Sequence, residues 1–407
     1  MSDSPNDRIA PFPTSEYETR LAKLQQVMAK ADLDAAVFTS EDNYRYLTGF
    51  YSPTWINLTR PRFCIVPRTG HPVIIIPANN DIIAEQTSWV RDVRTWVSPN
   101  PVDDGVTMLV DAIRACLGKS NRIGMELGPE SRLTMPVGDF LRVREMLKSV
   151  EILDGFRLLH GLRMVKSPGE IARMRRVAQI ASRSFEALDS KLKVGDSEKD
   201  ASVKLRLELV ARGADTTPYV SGGSGRNGYT SINTALRDRV MAPFDILTID
   251  TGSTVDGYFC DFNRGWAIGE PSDEVTRAYD KVWRATEAGL AVTRPGATTT
   301  DVWRAMAKVL AAEDGMSTGE GLRLDMGRFG HGCGLRMCEP PSLNEKDGTV
   351  LKPGMVITLE PGMAFTAKEA AGESRNKVMV HEENVVITEE GCDLLTTRAP
   401  RELPVVS

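Results

Sequence analysis

The chain has 407 residues, enough for two or three domains, with the 41% apolar and 26% charged residues of an ordinary soluble globular protein. Its formal net charge of -5 and pI near 5.6 give no electrostatic reason to bind nucleic acid, so we expect no nucleic-acid partner. No run approaches the roughly 18 apolar residues that span a bilayer, and the start lacks a basic segment followed by an apolar stretch, so we expect a cytoplasmic protein without membrane contact.

The first part of the chain alternates between helical and strand patterns. Apolar residues recur at helical spacing in EYETRLAKLQQVMAKADL, and strand patterns follow in AAVFTS, FCIVPR and PVIIIPA. Helical patterns return in VTMLVDAIRACLG and VGDFLRVREMLK, each followed by a strand pattern, RIGMEL and VEILDG. This alternation predicts an α/β domain over residues 1-160.

A long helix begins the second predicted domain, residues 161-407. Ser167 is a suitable cap residue, Pro168 fits the first helical turn, and apolar residues continue at three-to-four spacing beyond them. Further helical patterns lie in SEKDASVKLRLELVARG, DEVTRAYDKVWRATEAGLAV and TTDVWRAMAKVLAAED, with strand patterns between them. We therefore predict an α+β domain.

Five polar residues fall at predicted strands or strand ends in the last third of the chain: Asp250, Asp261, His331, Glu360 and Glu382. Burying several like charges costs several kcal/mol for each and forces some carboxylates to protonate. Two divalent cations would cancel four negative charges, and oxygen ligands with one imidazole suit Mn, Co, Fe or Zn. The pattern therefore predicts a site for two divalent metal ions.

The two aspartates lie on either side of a predicted hairpin in FDILTIDTGSTVDGYFCDFNRGWAIG. A turn at Val255 and Asp256 would place Asp250 directly opposite Asp261 on the neighbouring strand, with both carboxylates on one face. Either aspartate alone could instead be a turn residue, although Asp256, beside Gly257, is the more natural turn former.

The other three candidates lie in separate segments. His331 stands between glycines in GRFGHGCG, where the backbone could approach a ligand closely. Glu360 interrupts an apolar strand before a Pro-Gly turn, and alternation puts Glu382 on the same face as Val380, with His381 on the other face. Taken singly, the histidine could be structural and each glutamate a solvated edge residue.

At these motifs the sequence resembles the pita-bread metallopeptidase family, in its creatinase, prolidase and aminopeptidase P branch. The motifs are IDTGSTVDGYFCDFNRGWAIG, GHGCG, LKPGMVITLEPGM and HEENVVITEEGC. The segments DAAVFTSEDNYRYLTGF and LRMVKSPGEI also resemble the amino-terminal domain and the interdomain helix of that branch. The resemblance implies an amino-terminal α/β domain, an α+β pita-bread catalytic domain and usually a homodimer.

The resemblance also implies hydrolysis of a C-N bond, most readily an amide in a short peptide. Two cations that share a water molecule lower its pKa from about 16 toward about 7 and stabilise the developing oxyanion. Glu360 resembles the ligand glutamate that also handles a proton, so we expect it to act as general base and then acid. His331 is expected to be required for both metal retention and activity.

The substrate residues depart from the peptidase pattern. Prolidases and aminopeptidases P carry histidines or arginine where this chain has Asn233, Cys338 and Val380, respectively 17 residues before Asp250, seven after His331 and two before Glu382. Asparagine can still donate a hydrogen bond, whereas a thiol is a weak donor and valine has no donor in its side chain. Asn233 and Cys338 are nevertheless expected at the substrate, and His381 would join them only if a bulge turned it inward.

Arg60 points to another class of substrate. WINLTRPRFCIVP resembles the creatinase segment whose arginine reaches from the other subunit to a substrate carboxylate, and the matching residue is Arg60. A surface arginine beside Pro61 is the plainer interpretation.

Three hypotheses follow from the sequence as a whole: an exopeptidase for short peptides, an amidohydrolase of the creatinase or ectoine hydrolase kind for a small carboxylate-bearing molecule, and an inactive scaffold that binds a peptide or protein.

Overall fold

The structure, a computed structural model, describes residues 9–57, 60–312, 327–368 and 373–407. Contacts within the chain divide it into two compact units, of which the amino-terminal one is Ala10–Arg163 and the other runs from Met164 to Ser407. Within the described ranges, no helix is both long enough and apolar enough to cross a bilayer.

The amino-terminal unit contains six α-helices, two short 3-10 helices (Pro53–Ile56 and Ala78–Asn80) and six strands among its described residues. The helices are α1 (Thr14–Lys30), α2 (Glu41–Thr48), α3 (Asp81–Thr87), α4 (Val106–Cys116), α5 (Val137–Met146) and α6 (Phe156–Arg163). The strands are β1 (Ala35–Phe38), β2 (Phe63–Pro67), β3 (Val73–Pro77), β4 (Asp92–Trp96), β5 (Arg122–Met125) and β6 (Glu151–Asp154).

These strands form one mixed sheet in the order β4-β3-β2-β1-β5-β6. The pairs β1-β2 and β2-β3 are antiparallel, while β3-β4, β1-β5 and β5-β6 are parallel. Val37, Ile65 and Ile75 from three neighbouring strands form a core with Val110 of α4. The apolar runs of the sequence are therefore continuous because these strands are buried.

The second unit contains four helices and twelve strands among its described residues. The helices are α7 (Pro168–Leu188), α8 (Glu198–Ala211), α9 (Asp273–Val292) and α10 (Thr299–Ala311). The strands are β7 (Thr216–Arg226), β8 (Asp245–Val255), β9 (Tyr258–Phe259), β10 (Phe262–Ile268), β11 (His331–Gly332), β12 (Glu339–Ser342), β13 (Val356–Leu359), β14 (Gly362–Lys368), β15 (Ser374–Val380), β16 (Glu383–Ile387), β17 (Cys392–Leu394) and β18 (Val405–Val406).

Two helix pairs each precede a sheet in this unit. The pair α7 and α8 precedes the sheet β18-β10-β8-β7, in which β9 also pairs with β8. The pair α9 and α10 precedes the sheet β12-β11-β13-β16-β17 and the hairpin β14-β15. Val282 of α9, Met306 of α10, Ile357 of β13 and Val385 of β16 belong to one core, which fixes the second sheet against its helices.

The helices and strands that we named from sequence all occur in the described residues. The long helix α7 begins at Pro168, and its cap is the predicted Ser167, whose hydroxyl accepts a hydrogen bond from the Glu170 N–H at 3.3 Å. The Glu170 carboxylate in turn accepts from the Ser167 N–H at 2.9 Å, which completes a capping box. The end of the last predicted helix pattern, after Ala312, lies outside the described residues.

We expect Ser167→Ala to lower the free energy of unfolding of the second unit by about 1 kcal/mol, because the Glu170 N–H in the first turn of α7 loses its hydrogen-bond acceptor. Urea unfolding followed by tryptophan fluorescence measures this change. Ser190→Ala, which removes an exposed hydroxyl bonded only to the Ala187 carbonyl at 3.2 Å, is the control and should change stability much less. Equal stability of Ser167→Ala and wild type would contradict the capping role.

Candidate metal centre and substrate cavity

The hairpin that carries the two aspartates turns one residue later than the sequence suggested. Val255 pairs with Tyr258, so the turn consists of Asp256 and Gly257, both at positive φ (50° and 77°). A two-residue turn of this kind requires positive φ at both positions, which aspartate and glycine tolerate and the β-branched Val255 does not.

The shifted turn changes the partner of each aspartate. Asp250 pairs with Ser221 of β7 and Asn263 of β10, so the predicted direct opposition of Asp250 and Asp261 is wrong. Asp261 lies two residues before Asn263 and is therefore the diagonal neighbour of Asp250, at a typical separation of about 7 Å. Both carboxylates still project from the same face of the sheet.

Asn384 of β16 holds the backbone of Asp261. The Asp261 N–H donates to the Asn384 Oδ1 at 3.0 Å, and the Asn384 amide donates back to the Asp261 carbonyl oxygen. Asn384 is 1% exposed and belongs to the other sheet of the unit. One buried amide therefore connects the two sheets at the position of Asp261.

His331 lies on β11, a very short strand between β12 and β13. Its Nδ1 lies 3.0 Å from the Gly332 carbonyl oxygen, and its Nε2 lies 3.4 Å from Asp261 Oδ2. A Cβ at Gly330 (φ 136°) would lie 2.1 Å from the Thr358 carbonyl oxygen, and one at Gly332 would lie 2.3 Å from the Pro340 oxygen. The glycines around His331 thus allow close approach of neighbouring backbone, and the predicted close approach of a ligand stays a prediction.

Glu360 and Glu382 each lie at the end of a strand. Glu360 directly follows β13, and its N–H donates to the Phe329 carbonyl oxygen at 3.0 Å. Glu382 lies between β15 and β16, and its carbonyl oxygen accepts from Arg264 Nη1 at 3.0 Å. Glu382 is 1% exposed, whereas Glu360 is only half-buried.

One cavity of about 480 Å³ brings all five predicted metal ligands together. Asp250, Asp261, His331, Glu360 and Glu382 line it. Asp261, His331 and Glu382 each offer a ligand atom within 4.8 Å of the other two. The five residues come from both sheets, which converge on this cavity.

Burial raises the pKa of all four carboxyl groups, and neighbouring carboxylates raise it further for Asp261, Glu360 and Glu382. Burial and then the charge of Asp250 raise the pKa of Glu360 to about 8, and burial raises the pKa of Asp250 to about 6. Burial, followed by the charges of the neighbouring carboxylates, also raises the pKa values of Asp261 and Glu382 well above their usual range. Protons therefore compete with cations for these oxygens.

Two oxygens of the cluster are buried without compensation. Asp250 Oδ1 and Glu382 Oε1 have no hydrogen-bond partner among the described residues. Burial, and then the charge of Arg328, lowers the pKa of His331 to about 4, so the imidazole is neutral and can present a nitrogen lone pair. Unsatisfied carboxylate oxygens beside a neutral imidazole have the chemistry of a metal-binding donor set.

The structure places two of the four predicted substrate residues at the cavity. Asn233 and Cys338 line it, as does Val380. Asn233 Oδ1 accepts a hydrogen bond from the Tyr219 hydroxyl at 3.2 Å, and Cys338 Sγ lies 2.6 Å from Arg328 Nη2. Their contact with substrate stays a prediction.

The other two predicted substrate residues lie elsewhere. His381 does not line this cavity: its Nδ1 lies 3.2 Å from Thr286 Oγ1 of α9, and Arg398 Nη1 lies 3.1 Å from its Nε2. No bulge turns His381 inward, so strict alternation places it on the opposite face from Val380 and Glu382, and the predicted substrate contact of His381 does not fit this position. Arg60 belongs to the amino-terminal unit, and its role stays a prediction.

Sequence reasoning missed four polar residues of the cavity, Tyr219, Thr230, Ser231 and Arg328. The Tyr219 hydroxyl contacts Ser221 Oγ at 2.7 Å, and burial and the charge of Asp250 raise the pKa of Tyr219. Arg328 lies three residues before His331, so its position in the same glycine-rich segment was the one signal available.

A network of charges behind the cavity holds the segment that carries Glu382. Glu383 is buried and pairs with Arg264 Nη2 at 3.0 Å and with Arg398 Nη1 at 3.1 Å. Burial alone would favour the neutral acid, but the charges of Arg264, His381 and Arg398 keep the pKa of Glu383 below its usual value. Because Arg264 also binds the Glu382 carbonyl oxygen, this network fixes the backbone at Glu382.

Comparison with known proteins shows the family. The model of metallopeptidase family M24 matches residues 172–389, and the creatinase/prolidase N-terminal domain matches residues 20–165. The chain belongs to metallopeptidase family M24, in its creatinase and prolidase branch, and is a metal-dependent hydrolase. The predicted family and the predicted combination of an α/β amino-terminal domain with an α+β pita-bread catalytic domain are confirmed.

Relatives match nearly the whole chain. A probable dipeptidase PepE from Mycobacterium tuberculosis is 29% identical over 396 residues, which cover 97% of this chain and 98% of that protein. The crystal structure of dipeptidase PepE from Mycobacterium ulcerans is 27% identical with a TM-score of 0.79, covering 98% of this chain and 100% of that one. A recombinant prolidase from Thermococcus sibiricus is 25% identical with a TM-score of 0.81, covering 96% and 99%.

We expect Arg264→Met to lower the free energy of unfolding by about 2 kcal/mol, because it leaves the buried Glu383 with only part of its compensation. Denaturant unfolding of the metal-free protein measures the effect. Arg375→Met is the control, since the Arg375 and Glu373 side chains are 66% and 69% exposed and lie 3.7 Å apart. If both variants were as stable as wild type, the network would not hold this segment.

Proposed function

We propose that this protein is a dipeptidase whose catalytic unit holds two divalent metal ions at the five residues of the cavity: Asp250, Asp261, His331, Glu360 and Glu382. The convergence of these donors, with two buried carboxylate oxygens that lack a partner among the described residues, is the observation that carries the proposal. The similarity to dipeptidases along the full chain supports a peptide substrate.

The donor set fits a pair of cations better than it fits an unmetallated site. Four carboxyl groups in one cavity, all with raised pKa values, need positive charge nearby if they are all to ionise at neutral pH. When bound, two divalent cations would lower the pKa of a water molecule and stabilise negative charge on the carbonyl oxygen under attack. The expected metals are Mn, Co, Zn or Fe, and the choice among them stays a prediction.

Glu360 is positioned to transfer the proton. It is half-buried, unlike Asp250, Asp261 and Glu382, which are no more than 5% exposed, so a substrate in the cavity can approach its carboxylate. Its carboxylate oxygen would accept a proton from the attacking water and deliver it to the departing amine. The hydrogen bond from its N–H to Phe329 fixes where this transfer takes place.

The cavity restricts the size of the substrate. Its volume of about 480 Å³ lies within the range of about 300 to 1,000 Å³ in which small ligands bind. Asn233 and the Tyr219 hydroxyl offer hydrogen bonds to a peptide group, and Cys338 and Val380 form a less polar part of the wall. A short peptide fits these properties.

A second candidate is hydrolysis of an amide in a small carboxylate-bearing molecule. Its support is that Asn233, Cys338 and Val380 line the cavity where the peptidases resembled by this sequence carry histidine, histidine and arginine. Arg60 would bind the carboxylate from the partner of a homodimer. The homodimer and a cytoplasmic location stay predictions.

The central test starts from metal-stripped protein supplied separately with Mn, Co, Zn or Fe and offered a panel of dipeptides, including Xaa-Pro dipeptides. We expect at least one metal to restore dipeptide hydrolysis, with two metal ions bound per chain. Asp261→Asn should lose metal and activity because it removes a charged ligand, whereas Asp238→Asn, a change at a residue 83% exposed, should retain both. Activity without any divalent metal would contradict the proposal. Hydrolysis of creatine-like or ectoine-like compounds, with no dipeptide cleaved, would favour the second candidate.

We also expect Asn384→Ala to weaken metal binding by about 10- to 100-fold, because Asp261 loses both hydrogen bonds that fix its backbone. Titration calorimetry with the metal that restores activity measures the affinity. Asn376→Ala, at an exposed position on β15, is the matched control and should bind metal as wild type does. An unchanged affinity in Asn384→Ala would show that Asp261 does not need this support.

A further inference from the structure

A second cavity, of about 180 Å³, lies within the catalytic unit. Helices α7 and α9, strand β10 and the segment 397–404 contribute to its wall. Val380 lines both this cavity and the metal and substrate cavity, so the two are neighbours. None of the five predicted metal ligands lines the second cavity, which is therefore a separate place for a ligand.

Aromatic side chains form much of the wall, and we call this space the aromatic cavity. Phe185, Tyr229, Trp266 and Tyr279 line it, and each is no more than 5% exposed. Aromatic rings attract a further ring in edge-to-face or offset contact. An apolar cavity of about 150 Å³ can hold one benzene molecule. The volume and the wall therefore suit one aromatic ring with a small substituent.

The polar atoms of these aromatic side chains are already bonded within the protein. The Tyr279 hydroxyl donates to the Pro400 carbonyl oxygen at 2.8 Å, and the Trp266 indole N–H donates to Asp189 at 2.7 Å. The Tyr229 hydroxyl accepts from a backbone N–H at 2.9 Å. A ligand would therefore meet the apolar surfaces of these rings.

The charged groups of the wall are compensated as well. Arg264 pairs with Glu383 at 3.0 Å, and Arg398 pairs with Glu383 at 3.1 Å and with Glu287 at 2.8 Å. Two guanidinium groups thus face two carboxylates. An ionic ligand would lose its hydration without gaining an unpaired counter-ion, so the cavity favours a neutral molecule.

Asn263 of β10 supplies the one polar requirement that the protein leaves open. It lines the aromatic cavity and is 2% exposed, and its Nδ2 is buried without a hydrogen-bond partner among the described residues. Nδ2 therefore does not donate to Asp250, which pairs with Asn263 on the neighbouring strand. A buried donor without an acceptor costs free energy, so an acceptor on a ligand would be stabilising here.

A surface groove gives the aromatic cavity a route to solvent. The groove has a volume of about 650 Å³ and shares Tyr279 and Leu403 with the aromatic cavity. Thr276 and Arg277, which also line the groove, are exposed. Movement of the two shared side chains would therefore admit a small molecule.

We propose that the aromatic cavity binds a small neutral aromatic molecule with one hydrogen-bond acceptor, and that Asn263 donates to this acceptor. A ketone or amide carbonyl on a single ring has this chemistry. The ligand would contact Val380, which also lines the substrate cavity, without occupying the metal site. The inference does not depend on the proposed function, because a protein that cleaves no dipeptide could still bind such a molecule.

The test is calorimetry on the metal-loaded protein with acetophenone, ethylbenzene and benzoate. We expect wild type to bind acetophenone, and to bind benzoate about tenfold or more weakly because its charge has no partner in the cavity. Asn263→Leu should weaken acetophenone binding by about tenfold and change ethylbenzene binding by less than about threefold, because ethylbenzene has no acceptor.

Two further variants show which cavity is occupied. Ala399→Leu, at a lining position that is 5% exposed, narrows the aromatic cavity and should weaken acetophenone and ethylbenzene alike. Asn233→Leu is the matched control, since it removes an amide from the metal and substrate cavity and should leave both affinities unchanged. Loss of acetophenone binding in Asn233→Leu but not in Asn263→Leu would overturn the inference, as would tighter binding of benzoate than of acetophenone.

Crystals pressurised with xenon give a second measurement that needs no variant. Xenon enters apolar cavities of this size, so we expect it among the four aromatic side chains. Ordered water in the aromatic cavity in place of xenon would overturn the inference, and so would a wild-type protein that binds neither acetophenone nor ethylbenzene.

Discussion

The repulsion among four carboxylates in one cavity, three of them buried and one half-buried, is the constraint on which the catalytic unit depends. Asp250, Asp261, Glu360 and Glu382 line one cavity. After the larger effect of burial, the charge of Asp250 raises the pKa of the other three, and two oxygens of the cluster have no partner among the described residues. Such a cluster costs free energy in the absence of cations, so folding energy elsewhere must keep it together. In a metal-dependent hydrolase, cation binding removes this repulsion, and the free energy that is released favours metal binding.

Hydrogen bonds and ion pairs between the two sheets stabilise the protein against this repulsion. Asn384 reaches from β16 to the backbone of Asp261, and Arg264 reaches from β10 to Glu382 and Glu383. Gly330 and Gly332 let neighbouring carbonyl groups come closer to β11 than any side chain would allow. These residues contact no substrate in the proposed mechanism, yet they determine where the five donors lie. The close packing of neighbouring backbone therefore explains why both positions are glycine, which the motif alone does not show.

In the proposed function, specificity depends on other residues of the same cavity. Arg328 contacts Cys338, Tyr219 contacts Asn233, and all four line the cavity. The five predicted metal ligands follow the family motifs closely, while Asn233, Cys338 and Val380 depart from the peptidase pattern. A change of substrate requires new side chains only where the substrate is held, because the chemistry at the metal ions stays the same.

Seven of the ten α-helices among the described residues, most strands, the fold class and the five predicted donors could be read from periodicity and motifs, because each depends on neighbours within a few residues. The helices α2, α3 and α6 were not predicted. The exact turn of the Asp256 hairpin, and with it the diagonal relation of Asp250 and Asp261, depended on φ values that a pattern of apolar residues does not encode. Tyr219 was missed because only the convergence of separate strands brings it to the cavity, whereas Arg328 was missed although it lies three residues before the predicted ligand His331. His381 was placed on the correct face by strict alternation, but its contacts with Thr286 and Arg398 became visible only once α9 and the end of the chain were packed against it.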